Sequence, residues 1–170
     1  MMACLEYVGG DVCCNEPNAI LTYNNFKQLE GVFNTESGGC DICTINLKRL
    51  WCEYACSPRQ GEFLKVSSEY YEYPDPQNPG KTLIAQEANL TIEASTACAL
   101  YSSCKRVPFV ASVSALNTPA GFLNFQGHNA VNDARQYINV FFTYDQSKGL
   151  YFNDLNPENT TKGVTPCNFK

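Results

Sequence analysis

Cys40-Asp-Ile-Cys43, followed by Trp51-Cys52-Glu-Tyr-Ala-Cys56-Ser57-Pro58-Arg59-Gln60, holds four of the ten cysteines of the chain just before a proline. Cys40 and Cys43 are three residues apart and Cys52 and Cys56 four apart, so each pair lies along one side of a helix. Pro58 disfavours helix in the residue before it and marks a C-terminus there. Leu47, Leu50 and Tyr54 continue from Cys43 in steps of four, three and four, while Lys48, Arg49 and Glu53 mark a wet side. A helix of this kind can be tethered to several other segments. The same four cysteines offer an alternative, a zinc site, but only eight residues separate the pairs and six further cysteines would be left over. No metal is therefore expected.

Working outward, the cysteine count is even and spread from Cys4 to Cys167 over 170 residues, which implies a disulfide framework in an oxidising compartment. Two glycosylation sequons agree, Asn89-Leu-Thr91 and Asn159-Thr-Thr161. Met1 to Tyr7 has no apolar leader segment, so an oxidised chain of this kind is expected to have a signal upstream. A net charge of −5 without a Lys/Arg run excludes an electrostatic footprint for nucleic acid. No apolar stretch reaches the ~20 residues of a membrane span; Val107 to Leu116 is broken by Pro108, Ser112 and Ser114, and a soluble domain is expected. With 44% hydrophobic and 12% aromatic residues the chain can build one real core, and no linker divides residues 1–170.

Helical spacing from Asn18 to Phe33 predicts a first helix. Leu64, Val66, Ser68 and Tyr70 alternate and predict a strand within Phe63–Tyr73, followed by an exposed loop, Pro74 to Gly80. Ala88, Leu90 and Ile92 predict a strand with Asn89 on its outward face. A helix is expected over Glu93–Arg106, a short aromatic helix over Pro119–Gln126, and a strand over Tyr137–Tyr144 with Ile138, Val140 and Phe142 on one side. Helices and strands intermix, so the expected class is α+β: one disulfide-rich domain, several helices against a small mixed sheet. An enzyme is not expected. His128 is the sole histidine, and neither a Gly-x-Ser-x-Gly elbow nor a phosphate-cradling Gly-rich loop occurs.

Taken in order, Cys13-Cys14, Cys40-x2-Cys43, Cys52-x3-Cys56-Ser-Pro-Arg-Gln60 with Phe63-Leu64, Ser103-Cys104-Lys-Arg-Val107 and Asn159-Thr-Thr-Lys-Gly163 resemble the N-terminal lumenal domain of the Niemann-Pick type C cholesterol transporters. The resemblance runs from about Cys4 to Cys167, with the family's first Cys-rich segment and its transmembrane part outside it. It implies a sterol-binding, non-enzymatic domain of the lysosomal or vacuolar lumen, or a secreted one. Such a domain takes its lipid from a soluble lumenal carrier and delivers it to a membrane protein, and it needs no cofactor. It also implies the pairings Cys4 with Cys52, Cys14 with Cys56, Cys40 with Cys167 and Cys43 with Cys104. Cys13 and Cys98 are left over, and pairing them would close the count.

The family's polar contact to the sterol hydroxyl matches Asn18, which as an alternative caps the helix beginning there. Its pocket mouth and wall match Leu116, Phe122, Leu123, Asn124, Phe125, Tyr137 and Ile138. For any one aromatic among Phe122, Phe125, Tyr137, Phe141, Phe142 and Tyr144, core is the commoner fate than pocket. A folate- or riboflavin-binding protein shares the Cys-Ser-Pro turn but continues with a tryptophan-containing segment, whereas Arg59-Gln60-Gly-Glu-Phe63-Leu64 follows here. A third reading, from another class, is a ligand-free lumenal interaction module or accessory subunit.

Overall fold

The computed structural model describes residues 4, 10–36, 38–75, 78–127 and 138–151. Six helices pack against a three-stranded sheet: α1 (Glu16–Phe33), α2 (Asp41–Cys56), α3 (Gln60–Phe63), β1 (Leu64–Pro74), β2 (Thr82–Glu93), α4 (Ala94–Cys104), α5 (Pro108–Ser112), α6 (Pro119–Gly127) and β3 (Ile138–Asp145). The sheet is mixed, in the order β1-β2-β3, with β1 antiparallel and β3 parallel to the central strand. The α+β class expected of the intermixed patterns is the class observed.

α1 starts two residues before the expected Asn18, because Asn15 is the cap: its side chain accepts from the Asn18 N–H at 3.0 Å, and Pro17 stands in the first turn where its missing N–H costs nothing. The capping role considered for Asn18 therefore belongs to Asn15. α2 buries Cys43, Leu47 and Leu50 of the stripe read from the spacing, with Cys52 and Cys56 beside them, while Tyr54 is only half-buried, and it ends where Ser57 N–H reaches the Glu53 carbonyl at 3.2 Å. Gln60 then donates from Nε2 to the Tyr54 carbonyl at 2.6 Å and closes that end. Phe63 belongs to the single turn of α3, not to the strand after it.

β1 departs from simple alternation. Its register to β2 shifts between Val66 and Tyr70, so Ser67, Ser68 and Glu69 form a bulge, with Gln86 of β2 donating to the Ser67 carbonyl. On this edge strand Val66 and Tyr70 stand exposed, against the expectation of one apolar face. The loop after β1 is likewise not wholly exposed: Asp75 is buried, and its carboxylate accepts from the backbone and side-chain N–H groups of Asn78.

Ala88, Leu90 and Ile92 of β2 and Val140 and Phe142 of β3 supply the sheet's share of the core. α2 and α4 cover it with Cys43, Leu47, Leu50, Ala97 and Leu100. Three disulfides fix these layers: Cys43–Cys104 ties α2 to α4, and Cys52 and Cys56 hold Cys4 and Cys14 of the N-terminal segment. Cys43, Cys52 and Cys56 thus go to three separate partners, which removes the shared-zinc alternative. The suggested pairing of Cys13 with Cys98 is not made. Cys13 is exposed at the end of α2, with its N–H on the Cys56 carbonyl, whereas Cys98 is buried on α4. Cys40 lies at the start of α2, its Sγ 3.2 Å from the Ser103 carbonyl, and its expected partner Cys167 lies outside the described residues. Asn159, Tyr137 and His128 do as well.

Candidate functional site

α6 is placed by two glycines. A Cβ on Gly121 would lie 1.9 Å from the Ala115 carbonyl oxygen and one on Gly127 2.0 Å from that of Val140, so the helix approaches the turn before it and strand β3 closer than any side chain allows. Between these elements opens a cleft of about 500 Å³, lined by Val113, Ala115, Leu116, Gly121, Asn124, Phe125 and Phe141. Its walls are almost entirely apolar, and Asn124 brings an amide to the rim. No charged side chain lines it.

The helix period explains which aromatics face the opening. On α6, Phe122 and Leu123 turn inward and are fully buried, while Asn124 is exposed and Phe125 half-buried at the rim. An aromatic relay connects rim to core: Phe125 to Phe109 at 5.6 Å, Phe109 to Phe33 at 6.3 Å, Phe33 to Phe122 at 6.4 Å and Phe122 to Tyr101 at 6.0 Å. Edge-to-face and tilted contacts of this kind each add about 0.5–1.5 kcal/mol beyond area burial, so the wall behind the cleft is stiff.

Of the residues matched to the family's pocket, Leu116, Asn124 and Phe125 come together in the cleft, and Phe122 and Leu123 lie behind it in the core. Asn18 stands exposed on the first turn of α1, outside the lining. Ile138 opens β3. The lining also includes Val113, Ala115, Gly121 and Phe141, which local sequence gave no reason to group. The one available signal was Gly121 inside an otherwise helical, aromatic segment, since a glycine there marks a close approach.

Residues 2–168 match the family model described as Niemann-Pick C1 N terminus. The chain belongs to the Niemann-Pick C1 N-terminal family. Within that family it is 32% identical over 168 residues to an NPC intracellular cholesterol transporter 1 from Sus scrofa, covering 95% of this chain. It is 28% identical over 112 residues, 62% of the chain, to NPC intracellular cholesterol transporter 1 homolog 1 from Caenorhabditis elegans. The chain spans 12% and 8% of the lengths of those two relatives. Three disulfides in a Niemann-Pick C1 N-terminal domain fit an extracytoplasmic setting, because such bridges persist only where thiols are not kept reduced.

Proposed function

We infer that this domain binds a sterol-like apolar lipid in the cleft between α6 and β3 and hands it between a soluble carrier and a membrane protein. The observation that carries the reading is membership of the Niemann-Pick C1 N-terminal family over residues 2–168, in a chain with an open cleft whose walls are hydrocarbon and whose rim carries a single amide. Phe125 and Phe141, the accessible rings of the lining, would cover the lipid's rings, each Å² of apolar surface contributing about 25 cal/mol. Asn124, not Asn18, is the amide in reach of a ligand hydroxyl, since an amide can both donate and accept there.

Affinity in this reading is moderate. For a ligand of about 28 heavy atoms, an efficiency near −0.3 kcal/mol per atom gives about −8 kcal/mol, close to micromolar binding. A lipid held that weakly can be passed on. The relatives' name as intracellular cholesterol transporters supports cholesterol or a close sterol as the lipid.

Native mass spectrometry of the protein purified without detergent from its own source tests this, followed by extraction of any bound small molecule. One sterol per chain is the expected result. A bare chain overturns the reading. A pteridine or flavin mass moves the protein to vitamin binding, and complexes with protein alone favour an interaction module.

A further inference from the structure

The sequon Asn89-Leu90-Thr91 lies on the central strand of the sheet, on the side that faces away from the core. Lys65, Glu87, Asn89, Phe141 and Thr143 are all exposed, so that side is open to solvent. Asn89 sits in register between Lys65 of β1 and Phe141 of β3. Phe141, on the edge strand β3, is 38% exposed, a large aromatic surface to leave in water, and the same ring lines the cleft.

The hydrogen bonding of Asn89 leaves one end of its amide open. Thr143 Oγ1 donates to Asn89 Oδ1 at 2.8 Å, which orients the group, and Nδ2 has no acceptor among the described residues. Oδ1 is the atom that glycosylation leaves unchanged, and Nδ2 is the atom it modifies. Neighbouring strands lie about 4.8 Å apart, so a sugar on Nδ2 reaches the neighbouring ring. The C–H groups of a pyranose face carry partial positive charge and suit the negative face of an aromatic ring.

We propose that Asn89 carries an N-linked oligosaccharide whose first sugar packs on Phe141 and fences the outer rim of the cleft. The inference rests on the extracytoplasmic setting and on the cleft of the proposed function. The donor is a lipid diphosphate-linked oligosaccharide of the secretory compartment. Asn89 Nδ2 bonds to the anomeric carbon and the bond from that carbon to the diphosphate oxygen breaks. The lipid diphosphate leaves with the electron pair, and one amide proton passes to the transferase's base. The product covers an exposed phenylalanine and restricts approach to the cleft from the sheet side.

Peptide mass spectrometry of the chain from its own source decides occupancy, run with and without enzymatic removal of N-glycans, which converts a glycosylated asparagine to aspartate. The expected result is an oligosaccharide at Asn89 that is lost in Asn89→Gln and Thr91→Ala and kept in Thr91→Ser. A bare Asn89 in a chain with intact disulfides overturns the proposal and leaves the extracytoplasmic reading standing. A bare Asn89 together with alkylation of the bridge cysteines Cys4, Cys14, Cys43, Cys52, Cys56 and Cys104 overturns both. Packing on Phe141 is read from thermal unfolding: deglycosylation is expected to lower Tm by about 2 °C in the native sequence and by less in Phe141→Ala. Phe141→Leu gives the same comparison should the alanine variant not fold. An equal drop in native and variant chains overturns the packing.

Discussion

At Gly121 the backbone of α6 rests against the Ala115 carbonyl, and a methyl group placed there would meet that oxygen at 1.9 Å. Gly121→Ala must push the helix away from the turn before it, a form of overpacking that costs roughly 1–3 kcal/mol. A fall of that size in urea-unfolding stability, with weakened lipid binding, is the expected outcome; unchanged stability would mean that α6 does not lie this close. Tyr144 makes a second test. Burial disfavours its phenolate and pushes its pKa from 10.0 up to about 12, and Tyr54 shifts in the same direction for the same reason. Because the folded pKa is the higher one, the contribution to stability is whole below pH 10 and is lost as pH rises from 10 towards 12. Titration of tyrosinate absorbance should show a late-ionising fraction that shrinks in Tyr144→Phe. Asn15 was open to sequence reasoning as a helix cap, yet the spacing pattern began the helix at Asn18. Two Asn residues stand three apart, and only the backbone shows which one accepts from the other's N–H.

Among the elements, α2 is the hub, since its three cysteines tie it to α4 and, twice, to the N-terminal segment. Its apolar stripe and its stop before Pro58 were readable because both are local: the first follows from 3.6 residues per turn, the second from the proline ring. The Cys43–Cys104 bridge closes a separation of 61 residues and lies wholly in the core. By loop entropy, Cys43→Ala with Cys104→Ala should cost about 4 kcal/mol, measured as a lowered denaturant midpoint with a steeper slope, since the unbridged denatured chain exposes more surface. β1 was less readable. The run from Leu64 to Tyr70 alternates in sequence, but three residues bulge out opposite β2, and at this edge of the sheet Val66 and Tyr70 stand in solvent. A bulge is decided by the partner strand's register, which a single strand's pattern does not contain.

For the molecule as a whole, a ligand that binds only the folded domain stabilises it in proportion to its excess over Kd. At a hundredfold excess the gain is about 2.7 kcal/mol, a rise in Tm of roughly 5–10 °C for a chain of this size. A soluble sterol analogue should give that rise in the native sequence, and Phe125→Glu, which sets a charge at the half-buried rim of the cleft, should abolish it. An equal rise in the variant would place the lipid elsewhere. The sequence by itself determined the oxidising compartment, the α+β class, the family and the helix that anchors the disulfides, because cysteine number, helical period and a contiguous Cys-Ser-Pro-Arg-Gln motif are properties of the chain in order. Only the tertiary structure decided that Phe125 and Phe141 line a cleft while Phe122 and Phe142 fill the core. Val113 and Phe141 are far apart in the chain and meet through α6, seated by two glycines against a turn and an edge strand. Whether an aromatic ring is wall or filling depends on what covers it, and that cover comes from distant segments.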